Sequence, residues 1–424
     1  MSAAAGPPAS GAEGGPAEGA RFSQRLGPDV LARVRARVVE RVVAAGLAGV
    51  VTDDPEDVAY LTGFWHHPCE RPVAVWLGAD GRCVLLLPVL EREHAAHQGA
   101  TAELVDYPEF PGVVPPFSVL ADVLGQDAAA RAAVGAGRPV GHAPTTSWER
   151  LGALGDALRR ALPAVDLAAT DAVRVARYRK LPEEVALHAE AGRITDLMLA
   201  AGRRLVEEAA GAGGELPTEA EVAEHVTAVG SGTMRAEHDD VVESGFLAGG
   251  LVYSGPGSAH PHARPSGRRL RRGETFMLSL GACVGGRYVE GERTFVLGEP
   301  DERQRRLHDV VRRAQEAGAA ALRPGARCCD VNAACLAVVH EAGLSEHLLH
   351  RQGHGIGVGM HEPPWLEDGD PTVVEEGFVL SDEPGLYVPG HAGYRTSDSM
   401  LVTADGARPL TTYPRALDDL VVGR

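Results

Sequence analysis

The chain changes character at residues 179–184, and this change constrains the fold more than any other feature of the sequence. Before it, short apolar runs with strand spacing alternate with segments of helical spacing. After it, a long helix is predicted to begin at Pro182, and beyond Phe246 the sequence favours strands rich in Gly and Pro. A chain of 424 residues exceeds what one core usually supports, so we predict two domains that meet near this junction.

The N-terminal part is predicted to be an α/β domain. Apolar residues at helical spacing over residues 28–46 predict a helix, and residues 47–52 predict a short buried strand. Residues 73–77 and 81–87 predict two further strands joined by a turn. Because strands and helices keep alternating to about residue 170, we expect a sheet with helices packed against it.

The C-terminal part begins with two helices whose starts are clearly marked. Residues 179–184 are predicted to open a helix that runs to about residue 208, with Pro182 in the first turn, where its missing N–H is not needed, and two glutamates after it. Thr218 and Glu221 have the spacing of a capping box for the next helix. Later segments predict a hairpin bent at a Gly-Gly pair and then two helices: residues 273–297, 301–317 and 330–342.

Composition excludes several classes of partner. The formal net charge is −17, from 58 acidic and 41 basic residues, which disfavours nucleic acids and anionic membranes. Apolar runs all stay well short of the roughly 20 residues that a membrane-spanning helix requires. We therefore expect neither nucleic acid nor a membrane as a partner.

The first 20 residues contain Ala, Gly or Pro at 15 positions and lack the basic and apolar regions of a secretion signal. Such a segment buries too little apolar surface to fold, so we predict a disordered tail over residues 1–22. The six cysteines show neither CxxC pairs nor zinc spacing, and we expect reduced thiols. Together these features predict a cytoplasmic protein.

Three short motifs near the C-terminus carry the chemical signal: GHGIG at residues 353–357, HEPP at 361–364 and EPG at 383–385. With YLTGF at residues 60–64 and RYRKLPEEVALHAEAGRITD at 177–196, the chain resembles the pita-bread family over nearly its whole length. That family contains Xaa-Pro peptidases, methionine aminopeptidases and creatinase.

The resemblance implies an α+β fold. It consists of an N-terminal α/β creatinase-type domain, residues 23–175, and a C-terminal catalytic pita-bread domain, residues 176–424. The resemblance also implies a homodimer in which the N-terminal domain of one protomer completes the site of its partner.

The family's peptidases hold two metal ions with two Asp, one His and two Glu. When Arg293-Thr294 sets the register, the resemblance places these positions at Ser279, Glu290, His354, Glu383 and Ser397. Two ions bring four positive charges, which two serines cannot help to neutralise. We therefore predict an enzyme with no metal and no cofactor, although a lone ion on His354, Glu290 and Glu383 stays open as an alternative.

The residues around this site are more similar to those of creatinase, the member that works without metal. The resemblance implies that His262 is the proton shuttle, that Glu292 and Glu383 bind a substrate guanidinium, and that Arg71 holds a substrate carboxylate across the dimer interface. The chemistry is consistent, because Glu290 and Glu292 lie two apart on one strand and share a face. Two carboxylates can orient a planar cation, and a histidine can transfer the proton.

Two departures from creatinase indicate a different substrate. Its second carboxylate-binding arginine would fall near Trp365, and its histidine near the last ligand position is Ser397. His260 is a rival to His262, Glu292 has an alternative partner in the adjacent Arg293, and Arg395 is expected to form a structural ion pair. The predicted catalytic residues are His262, Glu292, Glu383 and His354, and the predicted substrate-binding residues are Glu290, His361, Arg71, Trp365, Ser279 and Ser397.

Three hypotheses follow. The leading one is a metal-independent, creatinase-like hydrolase that cleaves a non-peptide C–N bond in a small cationic or zwitterionic metabolite of the amidino, guanidino or cyclic amidine type, in degradation or biosynthesis. The second is an Xaa-Pro dipeptidase or aminopeptidase with a degenerate or single-metal site. The third is a non-catalytic pita-bread module that binds a peptide or protein.

Overall fold

A computed structural model describes residues 21–424 of the chain. The predicted disordered tail lies outside these residues, except for its last two positions. Phe22–Ser23 forms a short strand, β1, that pairs in parallel with residues of the C-terminal part. Within residues 21–424, no helix combines the length and the apolar character needed to cross a membrane.

The N-terminal part contains one six-stranded sheet between two layers of helices. Its strands lie in the order β5-β4-β3-β2-β6-β7; β3 is antiparallel to both of its neighbours and the other pairs are parallel. The elements after β1 are α1 Pro28–Ala44, β2 Gly49–Thr52, α2 Pro55–Thr62, β3 Ala74–Gly78, β4 Cys83–Pro88, α3 Arg92–His97, β5 Glu103–Tyr107, α4 Pro116–Gln126, α5 Ala128–Gly135, β6 Val140–His142, α6 Trp148–Ala161, β7 Leu167–Ala169 and α7 Ala172–Ala176, with a 3-10 turn at Val89–Glu91.

Alternate residues of the central strands face the two helical layers. On β3, Val75 and Leu77 pack with helix α1, whereas Ala74 and Trp76 pack with α4 and α6. Both faces of the sheet are therefore buried, which explains why these strands read as continuous apolar runs and not as alternating patterns. The predicted α/β character of this part agrees with the observed elements.

The C-terminal part is built on a nine-stranded sheet. Its main path is β13-β12-β14-β17-β11-β10-β9, with β18 added to β17 and β19 to β11. The elements are α8 Pro182–Gly211, α9 Glu219–Glu237, β8 His238–Asp240, β9 Ala248–Ser254, β10 Thr275–Val284, β11 Arg287–Leu297, α10 Glu302–Ala321, α11 Cys328–Glu341, β12 Gly353–Gly355, β13 Glu362–Leu366, β14 Val379–Asp382, β15 Gly385–Val388, β16 Ala392–Arg395, β17 Ser397–Thr403, β18 Gly406–Pro409 and β19 Val421–Val422, with 3-10 turns at Gly255–Ala259, Ser345–His347 and Leu417–Leu420.

Helix α8 packs directly against the chain that follows β18. A Cβ atom at Gly192 would lie 2.1 Å from the carbonyl oxygen of Leu410, so only glycine allows the backbones to approach this closely. Helices α8 and α9 share one apolar cluster with β9, β10 and β11, and α10 and α11 pack against β15 and β16. The strands between these layers carry the candidate site residues.

The predicted element starts agree well with the structure. The Thr218 hydroxyl accepts from Glu221 N at 3.1 Å, and the Glu221 carboxylate accepts from Thr218 N at 2.7 Å, as a capping box requires. The predicted hairpin is β10–β11, with Gly285 and Gly286 at positive φ in its turn. The predicted domain boundaries stay a prediction.

A buried charge network joins the two parts of the chain. Arg177, in the turn between α7 and α8, donates to Asp57 at 3.0 Å and Glu56 at 2.7 Å on α2, and also to Glu362. Glu362 additionally pairs with Lys180 at 3.2 Å. Since Glu362 follows His361 directly, this network holds the segment that carries one of the candidate site residues.

Candidate active site

A cavity of about 1080 Å³ opens over β9, β10 and β11 and is closed by the segments that precede β12 and β13. Its lining contains seven of the ten predicted site residues: His262, Ser279, Glu290, Glu292, His354, His361 and Glu383. They come from separate elements that the sheet order places side by side, because β12, β14, β17, β11 and β10 are consecutive neighbours.

The register of the sheet places three of the candidates in one row. Glu292 on β11 lies directly opposite Ser279 on β10 and directly opposite Ser397 on β17. Opposite residues on paired strands point to the same face, and Glu290, two positions earlier, shares that face. The predicted common face of Glu290 and Glu292 is therefore observed, and both side chains line the cavity.

Glu292 is neutralised by Arg395, the last residue of β16. Arg395 Nη2 donates to Glu292 Oε1 at 2.6 Å, and Nε lies 2.5 Å from Oε2. The Ser279 hydroxyl donates to the same carboxylate and accepts from Arg395 at 3.0 Å. The expected structural ion pair of Arg395 thus exists, but its partner is the carboxylate that was predicted to bind a substrate cation.

Two tyrosines hold the Arg395 guanidinium in place. It donates to Tyr253 Oη at 2.8 Å and to Tyr387 Oη at 3.1 Å. The Tyr253 hydroxyl in turn donates to the carbonyl of Pro261 at 2.9 Å, beside His262. The Glu292–Arg395 pair is therefore connected to the loop that carries the predicted proton shuttle.

A second cluster, in which the charges are less evenly balanced, consists of Glu290, His354 and Glu383. His354 Nε2 lies 3.3 Å from Glu383 Oε1 and 3.7 Å from Glu290 Oε1, with no hydrogen-bond partner among the described residues. His354 is 2% exposed, and its Nδ1 lies 3.0 Å from the carbonyl of Gly355, to which it donates. With Nδ1 bonded to that carbonyl, Nε2 is the ring nitrogen that faces the two carboxylates.

The pKa values of these three side chains reflect the excess of carboxylates over positive charge. Burial, together with the charge of Glu383, raises the pKa of Glu290 to about 8. Burial also opposes ionisation of Glu383, but the imidazole of His354, 3.3 Å away, lowers its pKa to about 2. Burial lowers the pKa of His354, and the two carboxylates more than offset this and raise it to about 9. The single imidazole of His354 therefore interacts with two buried carboxylates.

The remaining candidates lie at different distances from this cluster. His361 packs edge-on against His354 with ring centroids 4.1 Å apart, and burial lowers its pKa to about 4. His262 and its rival His260 both line the cavity. The buried Ser397 hydroxyl donates to Glu290 Oε1 at 3.3 Å from beneath the cavity floor.

Arg71 and Trp365 lie outside the lining of this cavity. Arg71 pairs with Glu109 at 2.5 Å and with Glu70 at 2.9 Å on the N-terminal part, so a role across a dimer interface stays a prediction. Trp365 lines a smaller cavity of about 210 Å³ between the two parts. Its indole carries the guanidinium of Arg351 at 4.1 Å from the ring centroid.

Among the polar lining residues missed from the sequence are His350 and Arg351, with Glu367 beside Arg351. His350 Nε2 lies 2.8 Å from the Tyr387 hydroxyl, and Arg351 pairs with Glu367 at 2.8 Å. Both come immediately before the GHGIG motif, and that proximity is the signal that could have identified them.

Comparison with known proteins identifies families that match this chain. Residues 186–404 match the model described as Metallopeptidase family M24, and residues 35–186 match the Creatinase/Prolidase N-terminal domain. The chain is 34% identical over 397 residues to a probable dipeptidase PepE from Mycobacterium tuberculosis, covering 93% of this chain and 98% of the relative.

Two further similarities extend the comparison. The chain is 28% identical over 385 residues to an Xaa-Pro dipeptidase from Lactobacillus delbrueckii subsp. lactis, covering 89% of this chain and 96% of the relative. The crystal structure of dipeptidase PepE from Mycobacterium ulcerans superposes with a TM-score of 0.77 at 30% identity, covering 94% and 99% of the two chains.

These findings correct the leading hypothesis. The prediction of a metal-independent, creatinase-like enzyme acting on a non-peptide C–N bond is wrong, because the relatives are dipeptidases and the matching family is one of metallopeptidases. The physical error lies at Glu292, which was counted as free to bind a cationic substrate although Arg395 already neutralises it. The expectation of a hydrolase agrees with the family.

The residues present fit a divalent metal ion. Glu290, His354 and His361 each place a potential ligand atom within 4.8 Å of the others, and Glu383 lies beside them. An unpartnered imidazole nitrogen and two carboxylates short of positive charge suit a single divalent cation. A second ion would have only the Ser279 and Ser397 hydroxyls and the already paired Glu292 on its side of the floor.

The predicted α+β fold, with a creatinase-type N-terminal domain and a pita-bread C-terminal domain, is confirmed by both family models and by the structural similarity. The matched model covers more than half of the chain, and the full-length relatives agree with it. The chain belongs to metallopeptidase family M24.

Proposed function

We propose that the protein is a dipeptidase of the Xaa-Pro dipeptidase type that works with a divalent metal ion. The observation that carries this proposal is the group Glu290, His354 and His361 inside the large cavity, where the buried His354 Nε2 has no hydrogen-bond partner among the described residues. Full-length similarity to dipeptidases supports the choice of peptide bonds as substrate.

Glu290, His354 and Glu383 would hold the ion, with His361 as a further ligand or neighbour. When bound, such an ion polarises a carbonyl oxygen and makes a coordinated water more acidic. The carboxylates and the imidazole match the oxygen and nitrogen ligands that zinc, manganese and cobalt accept.

The other histidines are suited to moving protons at the cleaved bond. His262 lies on the cavity wall, on the loop tethered by Tyr253, and we assign to it the transfer of a proton to the leaving amine. His350, bonded to Tyr387, faces the same space and orients the polar wall near Arg395. Glu292, held by Arg395, fixes these groups and does not contact a cationic substrate.

The cavity also provides a place for the carboxylate of a short peptide. Arg351 lines the cavity wall, stacked on Trp365 and 34% exposed in its side chain. Its guanidinium is paired with the half-exposed Glu367, a contact that a substrate carboxylate can replace. In the homodimer that we propose, Arg71 of the partner's N-terminal domain would close the same site.

The test is hydrolysis of a panel of dipeptides by metal-free enzyme after addition of Mn²⁺, Co²⁺ or Zn²⁺. We expect Xaa-Pro or related dipeptides to be cleaved with at least one ion, and His354→Ala to abolish cleavage. His340→Ala serves as the matched control, since His340 is exposed on α11 and bonds only Ser345 among the described side chains.

Failure to cleave any dipeptide with any of the three ions, from a folded preparation, would reject the proposed function. Cleavage of guanidino compounds in the same assay, with dipeptides untouched, would also reject it. Activity that survives His354→Ala would show that the ligand group has been misplaced.

A further inference from the structure

We propose that the Arg395–Glu292 ion pair takes the place of a second metal ion, so that the pocket is built to bind one divalent cation. The inference rests on the proposed peptidase function, because it concerns the metal content of the same site.

The residues that do not fit a two-ion site lie in one row of the sheet. Ser279, Glu292 and Ser397 stand directly opposite one another on β10, β11 and β17. The outer two positions are those that the family resemblance assigns to acidic ligands. The row therefore carries a single carboxylate at its centre, flanked by two hydroxyls, and not carboxylates on either side.

Each hydroxyl of the row is already committed to a protein group. Ser279 donates to Glu292 and accepts from Arg395 at 3.0 Å. Ser397, fully buried, donates to Glu290 Oε1 at 3.3 Å. A neutral hydroxyl in this state is a weak ligand for a divalent ion, whose partners in proteins are carboxylates, imidazoles and thiolates.

Arg395 supplies the positive charge on this side of the floor. Its guanidinium makes a two-point contact with Glu292 and is held by Tyr253 at 2.8 Å and Tyr387 at 3.1 Å. Arg395 and Glu292 are 5% and 3% exposed. Withdrawing the guanidinium to admit an ion would remove one partner from each of four polar groups, which is costly in a buried site: Glu292, Ser279, Tyr253 and Tyr387.

The charge balance of the floor leads to the same number of ions. Glu290, Glu292 and Glu383 contribute three negative charges when ionised, and Arg395 cancels one of them. Two negative charges remain, which one divalent ion neutralises when His354 is a neutral ligand. A second ion would leave the buried floor with two uncompensated positive charges, a state that the low-dielectric interior disfavours.

The test is metal stoichiometry, measured without substrate. Purified apoprotein is loaded with Mn²⁺, the count per chain is obtained by elemental analysis after desalting, and the binding isotherm is obtained by calorimetry. We expect one ion per chain in the wild type. The triple variant Ser279→Asp, Glu292→Ser, Ser397→Glu exchanges carboxylates and hydroxyls along the row while Arg395 is kept, and we expect two ions in that variant.

Ser345→Asp is the matched control, because Ser345 is exposed on a 3-10 turn away from the cavity, and we expect it to keep one ion. A wild-type count of two, or of zero, overturns the inference. A folded triple variant that binds only one ion also overturns it. If the triple variant does not fold, the wild-type count still decides.

The outcome is separable from that of the proposed function. Stoichiometry is read from ions alone, whereas the function is read from dipeptide cleavage. A wild type that cleaves dipeptides with two bound ions would keep the function and reject the single-ion site. A wild type that binds one ion and cleaves no dipeptide would keep the single-ion site and reject the function.

Discussion

Removal of Arg177 is expected to destabilise the protein strongly and in a pH-dependent way. Arg177 is 5% exposed and contacts three carboxylates, Glu56, Asp57 and Glu362. Glu362 would keep Lys180 at 3.2 Å, and the half-exposed Glu56 would turn to solvent. Asp57, with 8% of its side chain exposed, would keep only the Thr52 hydroxyl at 3.0 Å.

The loss of stability depends mainly on Asp57, the carboxylate that would stay buried without Arg177. Breaking a buried pair by removing one partner costs about 3–5 kcal/mol, and the exposed Glu56 contact adds little. For a domain of this size, about 2–4 °C of melting temperature accompanies each kcal/mol, so Arg177→Met is expected to melt about 6–20 °C lower at pH 8.

The pH dependence follows from Asp57. Burial already raises its pKa to about 6 in the wild type, despite the opposing charge of Arg177, and removal of Arg177 raises it further. An acid whose pKa is raised in the folded state contributes most below its unfolded pKa and loses that contribution as the pH rises through the folded value. The difference between wild type and Arg177→Met is therefore larger at pH 8 than at pH 5.

Differential scanning calorimetry and urea unfolding at the two pH values provide the measurement. Arg179→Met is the matched control, since the Arg179 side chain is 56% exposed, and its effect should stay within about 0.5 kcal/mol. Adding Asp57→Asn to Arg177→Met should recover part of the stability at pH 8. A loss below about 1 kcal/mol for Arg177→Met, or equal losses at pH 5 and pH 8, would refute the reasoning.

Three further outcomes are expected. His262→Ala should lower kcat by about 10²–10⁴ with unchanged metal content, and a near-normal rate would assign the proton to another group. Gly192→Ala should cost about 1–3 kcal/mol in urea unfolding, because its Cβ would meet the Leu410 carbonyl at 2.1 Å; a cost below about 0.5 kcal/mol would contradict the close packing. Light scattering should give a homodimer at micromolar concentration, and a fully active monomer would exclude a shared site.

Features that depend on neighbours in the chain were predictable. The capping box of Thr218 and Glu221, the proline start of α8 at Pro182 and the two-residue spacing of Glu290 and Glu292 depend on helix and strand periods that extend over a few residues. The same is true of the GHGIG, HEPP and EPG motifs, whose side chains meet in one cavity. These local patterns were sufficient for the family, the fold class and most of the candidate site.

The balance of charge inside the site could not be predicted in this way. Whether Glu292 is free or paired depends on Arg395, 103 residues later, and on the packing that brings the end of β16 beside β11. The adjacent Arg293 was an equally good partner by sequence, yet it is buried and forms an ion pair with Asp398 at 2.8 Å. The error about Glu292 led to the wrong substrate class, whereas the prediction of no metal was based on Ser279 and Ser397.

The sequence by itself determined that Ser279 and Ser397 stand at two positions where the resemblance expects acidic ligands, because residue identities do not depend on the fold. Only the tertiary structure decided what replaced them. An ion pair forms between groups that long-range packing brings within about 3–4 Å, and in a buried site that proximity outweighs any preference encoded by spacing along the chain. Arg395 therefore defines the site as much as the motif residues do, although its sequence context marks it only as a structural residue.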